Sequence, residues 1–215
     1  MTTVAIMQPY FIPYAGYFRL FAAADTVALL DCVQFPRRGW VHRNQLPDAG
    51  GQARWLTLPL TKAPQTARIA EMTLAADAPA RLGEAMRRFP ALGSVHPLHE
   101  TVADAAGALV PYLERTLSLA CTALGLPFRT IRTSGLQIGE DLRAEDRILA
   151  IAERLGATTY LNLAGGRGLY DPEHFAARGI ALRFLDDWQG SYWSILHRLA
   201  TEPATDIAAD IRRQC

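Results

Sequence analysis

Lysine is almost missing from this chain: Lys62 stands alone, and arginine supplies the rest of the positive charge. Cysteine is scarce as well. Cys32, Cys121 and Cys215 are odd in number, far apart and in no CxxC pair, so structural zinc and a disulfide framework are excluded and a reducing cytoplasm is the expected setting. Net charge is nearly absent too, because 22 basic residues face 21 acidic ones. That balance argues against a nucleic-acid binder working by bulk positive charge, but leaves room for a local anion site. No apolar run approaches the ~20 residues of a spanning helix, so no membrane span is expected. The apolar start stops at Gln8-Pro9 without a basic leader, so no signal peptide is expected. There is no HExxH, no GxSxG and no clustered set of metal-ligating side chains; neither a metal nor a cofactor is indicated.

What is present is a well-filled globular composition. Of 215 residues, 50% are hydrophobic, enough for one domain with a substantial core and no need of staples. The pattern opens with a buried strand at 4–7, a helix at 16–24 and a second strand at 26–31. That order is a right-handed βαβ unit. Residues 52–60 and 68–74 read as extended segments of a hairpin-like excursion split near Lys62. Two helical stretches follow, 78–89 and 98–124, the second broken or kinked at Pro111. Strands at 128–133, 158–163 and 180–185 alternate with helices at 141–155, which Gly156 caps, and 174–178. The expected fold is α/β with a mainly parallel, Rossmann-like sheet, as one domain over 1–215 with a helical insertion near 77–124.

Three segments fall where a parallel sheet places its ligand, beyond the carboxyl ends of strands. The loop 8–18 carries Gln8, three phenols (Tyr10, Tyr14, Tyr17) and Gly16 at a helix start, whose free N–H groups suit a phosphate or carboxylate. The segment 31–45 combines Asp31, Arg37, Arg38, Trp40, His42, Arg43 and Asn44. Arg38 and Arg43 are candidates to grip an anion, Trp40 to stack on a ring, and Gln8 and Asn44 to position it. Asp31 or His42 is the candidate base. The third segment, Gly165-Gly166-Arg167 after a strand, allows close backbone approach and adds a charge. The packing alternatives are aromatic loops on the core and an exposed basic turn.

Those residues carry a resemblance. Gln8 through Phe18, Gln34-Phe35, Arg38-Gly39-Trp40 with Arg43-Asn44, Leu58-Pro59-Leu60, the stretch from Thr158 to Tyr170, and Trp188-Gln189 through Leu196 resemble the WbqC-like family across most of the chain. His197 stands where such proteins usually carry an aspartate. The resemblance implies a protein of bacterial surface-polysaccharide assembly, O-antigen included, and transfer of a glycyl or other aminoacyl group. A more distant likeness in layout is to the HxGH nucleotidylyltransferases, with Tyr14 and Tyr17 in both histidine places. A phenol stays neutral at pH 7, so the likeness implies a nucleotide or phosphate pocket rather than the usual adenylyl transfer. Two functions stand side by side. One is a group transferase (glycyl, aminoacyl or nucleotidyl) using a phosphate-bearing sugar or acyl donor; the other is a non-catalytic nucleotide-sugar or partner-binding protein.

Overall fold

The computed structural model describes residues 1–93 and 97–215. Five strands form one parallel sheet: β1 (Thr3–Met7), β2 (Thr26–Leu29), β5 (Thr130–Arg132), β6 (Thr159–Asn162) and β7 (Ala181–Phe184), in the order β5-β2-β1-β6-β7. Ile6 pairs with Ala28 on one side of β1 and Val4 with Tyr160 on the other. The first strand made is therefore the middle one. The chain builds outward from β1 through β2 to β5, then crosses back to β6, so the direction of winding reverses between β1 and β6. In such a sheet the ligand crevice opens at that reversal, at the carboxyl edge.

The pleat sorts the core into two layers. Val4, Ile6 and Ala28 face Ile148 and Ile151 of α5 (Ala144–Arg154) and Phe175 of α6 (Pro172–Ala176). Ala5, Val27 and Leu29 face the other way, into a larger cluster. It contains Phe21 of α1 (Arg19–Ala23), Leu113 and Leu117 of α4 (Leu109–Ala123), and Ile207 and Ile211 of α8 (Ala204–Arg213). Apolar side chains on both faces of the central strands are what a parallel sheet covered by helices demands. Local signals set the helix ends. Asp171 accepts from the Glu173 N–H at 2.9 Å to start α6, and Gly156, at φ 64°, follows the end of α5.

Three expectations change in the long crossover from β2 to β5. The hairpin pairs β3 (Arg43–Pro47) with β4 (Ala53–Thr57), so residues 43–47 are a strand rather than part of an anion-binding loop. Residues Ile69–Glu71 form a single 3-10 turn instead of an extended strand. The helical stretch does break, but at Gly107 (φ 80°), between α3 (Pro97–Ala103) and α4. Pro111 sits third in α4, where its missing N–H has no helical partner to lose. Before these lies α2 (Ala78–Met86), and α7 (Ile195–Thr201) precedes α8 at the end of the chain.

Candidate functional site

The loop 8–18 and the segment 31–45 do meet. The Phe11 N–H donates to the Trp40 carbonyl at 3.1 Å, and Asn44 Nδ2 donates to the carbonyls of Phe11 (3.0 Å) and Ile12 (2.8 Å). These contacts hold Ile12 at φ 39°, a left-handed backbone that a β-branched residue adopts only under constraint. Ser194 Oγ adds a third clamp on the Ile12 carbonyl at 2.7 Å. Asn44 is buried, so it shapes the loop from inside.

The phenols pack. Tyr17 is fully buried and donates to the Gln8 carbonyl at 2.8 Å, and burial raises its phenol far above the ordinary value. Tyr10 lies on Tyr17 with centroids 5.4 Å apart, and Tyr14 on Tyr192 at 5.0 Å. Gly16 makes room for them, since a Cβ there would sit 2.4 Å from the Tyr14 ring and 2.8 Å from Trp188. Arg43 donates to the Arg38 carbonyl at 2.6 Å and stacks on Trp55 with its guanidinium carbon 4.1 Å from the ring centroid. Trp40 leans on the same Trp55 ring at 5.1 Å, and both indoles are partly exposed.

Asp31 and His42 are not brought together. Asp31 is buried, and its carboxylate accepts from Thr133 Oγ1 (3.1 Å), the Ser134 N–H (2.8 Å) and Ser134 Oγ (2.8 Å). It stitches the end of β2 to the turn after β5. His42 lies beside Phe35, with ring centroids 5.0 Å apart, and its buried Nδ1 has no hydrogen-bond partner among the described residues. Burial, and secondarily Arg43, lowers its imidazole to about 4, so it is neutral at pH 7. The turn after β6 likewise closes on itself. Gly166 packs where a Cβ would lie 2.6 Å from Asn162 Nδ2, and Arg167 pairs with Asp186 at 3.1 Å. Gly165 belongs to the same 3-10 turn, Ala164–Leu169.

The open space lies slightly further along the sheet's carboxyl edge. A crevice of about 590 Å³ is bounded by Gln8 after β1, Leu30 and Cys32 after β2, the start of α5, and Tyr170 after the 3-10 turn. Of the residues expected to bind substrate, Gln8 lines it; Tyr10, Tyr14, Tyr17, Gly16, Arg38, Trp40, Arg43, Asn44, Gly165, Gly166 and Arg167 do not. Its charged lining is three other arginines and two carboxylates, Glu140 and Glu145. Arg68 reaches Glu140 at 2.7 Å. Arg147 donates to the Leu142 carbonyl from Nε (3.1 Å) and Nη2 (2.9 Å), with Nη1 3.5 Å from Cys32 Sγ. Arg143 donates to the carbonyls of Glu140 and Leu142. Among the described residues, neither Arg143 nor Arg147 forms an ion pair within 4.0 Å. The nearby Glu145 carboxylate is already taken by the Asp171 N–H and His174 Nδ1, both at 2.5 Å. These contacts, His174 first, lower its pKa. The pair Arg143 and Arg147, four apart at a helix start, is the signal that reading strand ends alone passes over.

The family model described as the WbqC-like protein family matches residues 8–195. The chain belongs to that family. A WbqC-like chain of this kind also resembles an uncharacterized protein, Rv1507c, of Mycobacterium tuberculosis, with 26% identity over 199 residues, covering 86% of this chain and 83% of the relative. No solved structure matches it. In this WbqC-like protein no described helix is long and apolar enough to cross a membrane. No group of three or more metal-ligating side chains occurs among the described residues.

Proposed function

We propose that this protein is a group transferase of bacterial surface-glycan assembly that seats the phosphate of an activated sugar or aminoacyl donor in the crevice between β1 and α5. One observation carries the reading. Two guanidinium groups, Arg143 and Arg147, stand at the sheet's carboxyl edge, hydrogen-bonded to carbonyl oxygens and a thiol and, among the described residues, in no ion pair within 4.0 Å. Glu140, which Arg68 holds, also feels both charges, but guanidiniums with no ion-paired carboxylate, beside the N-terminus of an eleven-residue helix, favour an anionic guest. Gln8 offers an amide at the end of β1, while Leu30, Ile148 and Tyr170 supply an apolar wall for the donor's uncharged part. During transfer, an amine or hydroxyl attacks the activated carbon, the phosphate departs with the bonding pair, and the nucleophile's proton passes to the departing phosphate or to water. Fixed guanidiniums stabilise the charge gathering on that leaving group.

Screening by mass spectrometry against nucleotide-sugars and aminoacyl phosphates tests the transfer. The expected result is turnover of one donor class, a raised melting temperature with that donor, and about a 10- to 100-fold loss of kcat/KM in Arg147→Gln. Absence of both turnover and stabilisation overturns the reading. Stabilisation without turnover favours a binding protein, a second reading supported by the saturated carboxylate of Asp31 and by the placement of His42 outside the crevice.

A further inference from the structure

A second cavity, of about 390 Å³, shares no lining residue with the crevice. It lies between the end of β4, the segment that follows it and α2. Phe35, Leu58 and Met72, at most 5% exposed, lie beneath it, and half-buried Pro59 and Leu60 supply its accessible apolar surface. Arg37, Lys62 and Arg81 contribute three positive charges. Arg37 is held in place, because its Nη2 donates to the carbonyls of Ala63 (2.7 Å) and Pro64 (2.9 Å). That leaves Nε and Nη1 for another acceptor. Arg81 reaches Asp77 at 3.6 Å, with both side chains exposed. Lys62 forms no ion pair within 4.0 Å among the described residues.

Three like charges around an apolar hollow, with one carboxylate nearby, repel one another and gain from a shared counter-anion. An inorganic ion meets the charges and leaves the hollow wet; a hydrocarbon alone fills the hollow and leaves the charges unmet. Both demands are met by one molecule carrying an acid group on an apolar stem. We infer that this cavity binds a small organic acid, its carboxylate among Arg37, Lys62 and Arg81 and its hydrocarbon on Pro59 and Leu60. His42 lines the same space and is a neighbour that senses the bound charge. The inference is independent of the function proposed for the crevice.

Calorimetric titration of the full chain with hexanoate, hexanol, acetate and inorganic phosphate provides the test. Hexanoate is expected to bind at or below about 1 mM, and the other three far more weakly. Lys62→Gln and Arg81→Gln each weaken hexanoate about three- to tenfold, while Arg147→Gln leaves it unchanged. Both substituted side chains are exposed, so the fold is retained; Arg37 is left intact because it also holds residues 63–64. In NMR titrations hexanoate raises the His42 pKa in the native protein, since a nearby anion favours imidazolium. Equal binding of all the anions, binding of hexanol, no binding of hexanoate, or loss on Arg147→Gln alone each overturns the assignment.

Discussion

Two side chains close together in sequence, Asp31 and His42, illustrate how environment decides the use of a titratable group. Asp31 ends an apolar strand and spends its lone pairs on donors from the turn after β5. Truncating it removes the acceptor of the Ser134 N–H and Oγ and one of two acceptors of Thr133 Oγ1, which also reaches the Leu29 carbonyl. Asp31→Ala is therefore expected to cost about 2–4 kcal/mol, measured by urea unfolding, through loss of hydrogen bonds to a charged acceptor. His42 carries the opposite liability. Its folded imidazole titrates near 4 against an ordinary 6.5, so as pH falls the unfolded chain takes up the proton first. Stability is consequently lost between about 6.5 and 4 and not further below that window. A melting-temperature series should fall less steeply over this range in His42→Gln than in the native protein.

Among elements, the strands and helices with a clean apolar period are those most legible in the sequence. β2, β5, β6 and β7 lie within the predicted segments, as does α5, and β1 exceeds its segment by Thr3 alone. The hairpin is the instructive exception. β3 reads Arg-Asn-Gln-Leu-Pro, with Asn44 and Leu46 facing inward. A buried amide, satisfied by two carbonyls of a distant loop, gives no apolar alternation to read. The same blindness hid the crevice: its arginines come from loops and a helix start brought together by the crossover, far from the aromatic segments that attract the eye. Pro111 offers a clean check of element boundaries. At the third position of α4 and exposed, its replacement by alanine should change stability by less than about 1 kcal/mol, on the destabilising side. A proline interior to a helix would instead yield a gain of about 3 kcal/mol on removal.

Taken whole, the molecule has a sheet whose middle is protected from both faces and both sides. Hydrogen exchange should be slowest at Ala5 and Ile6 of β1 and at Ala28 of β2, where exchange requires global opening. β7, an edge strand with alternate residues exposed, should exchange much faster. Equal protection of β1 and β7 would contradict this order of stability. The α/β class was readable because alternating strands and helices leave few topologies once right-handed crossovers are imposed. Within the long crossover the helices α2 and α4 and the strand β4 fall inside the expected segments; what could not be read was β3 and the turns, which are held by contacts distant in sequence.

The central place of β1 also has a bearing on how a cell produces the chain. Thr3 to Ala5 leave the ribosome well before their partners on one flank, Thr159 to Leu161, are translated. At ordinary elongation rates that flank waits roughly 10–30 s for its neighbour. During this interval an apolar ribbon with open amide and carbonyl groups is available to any other nascent strand. Shielding of the β1 edge during synthesis then favours correct pairing with β6 over pairing with another chain.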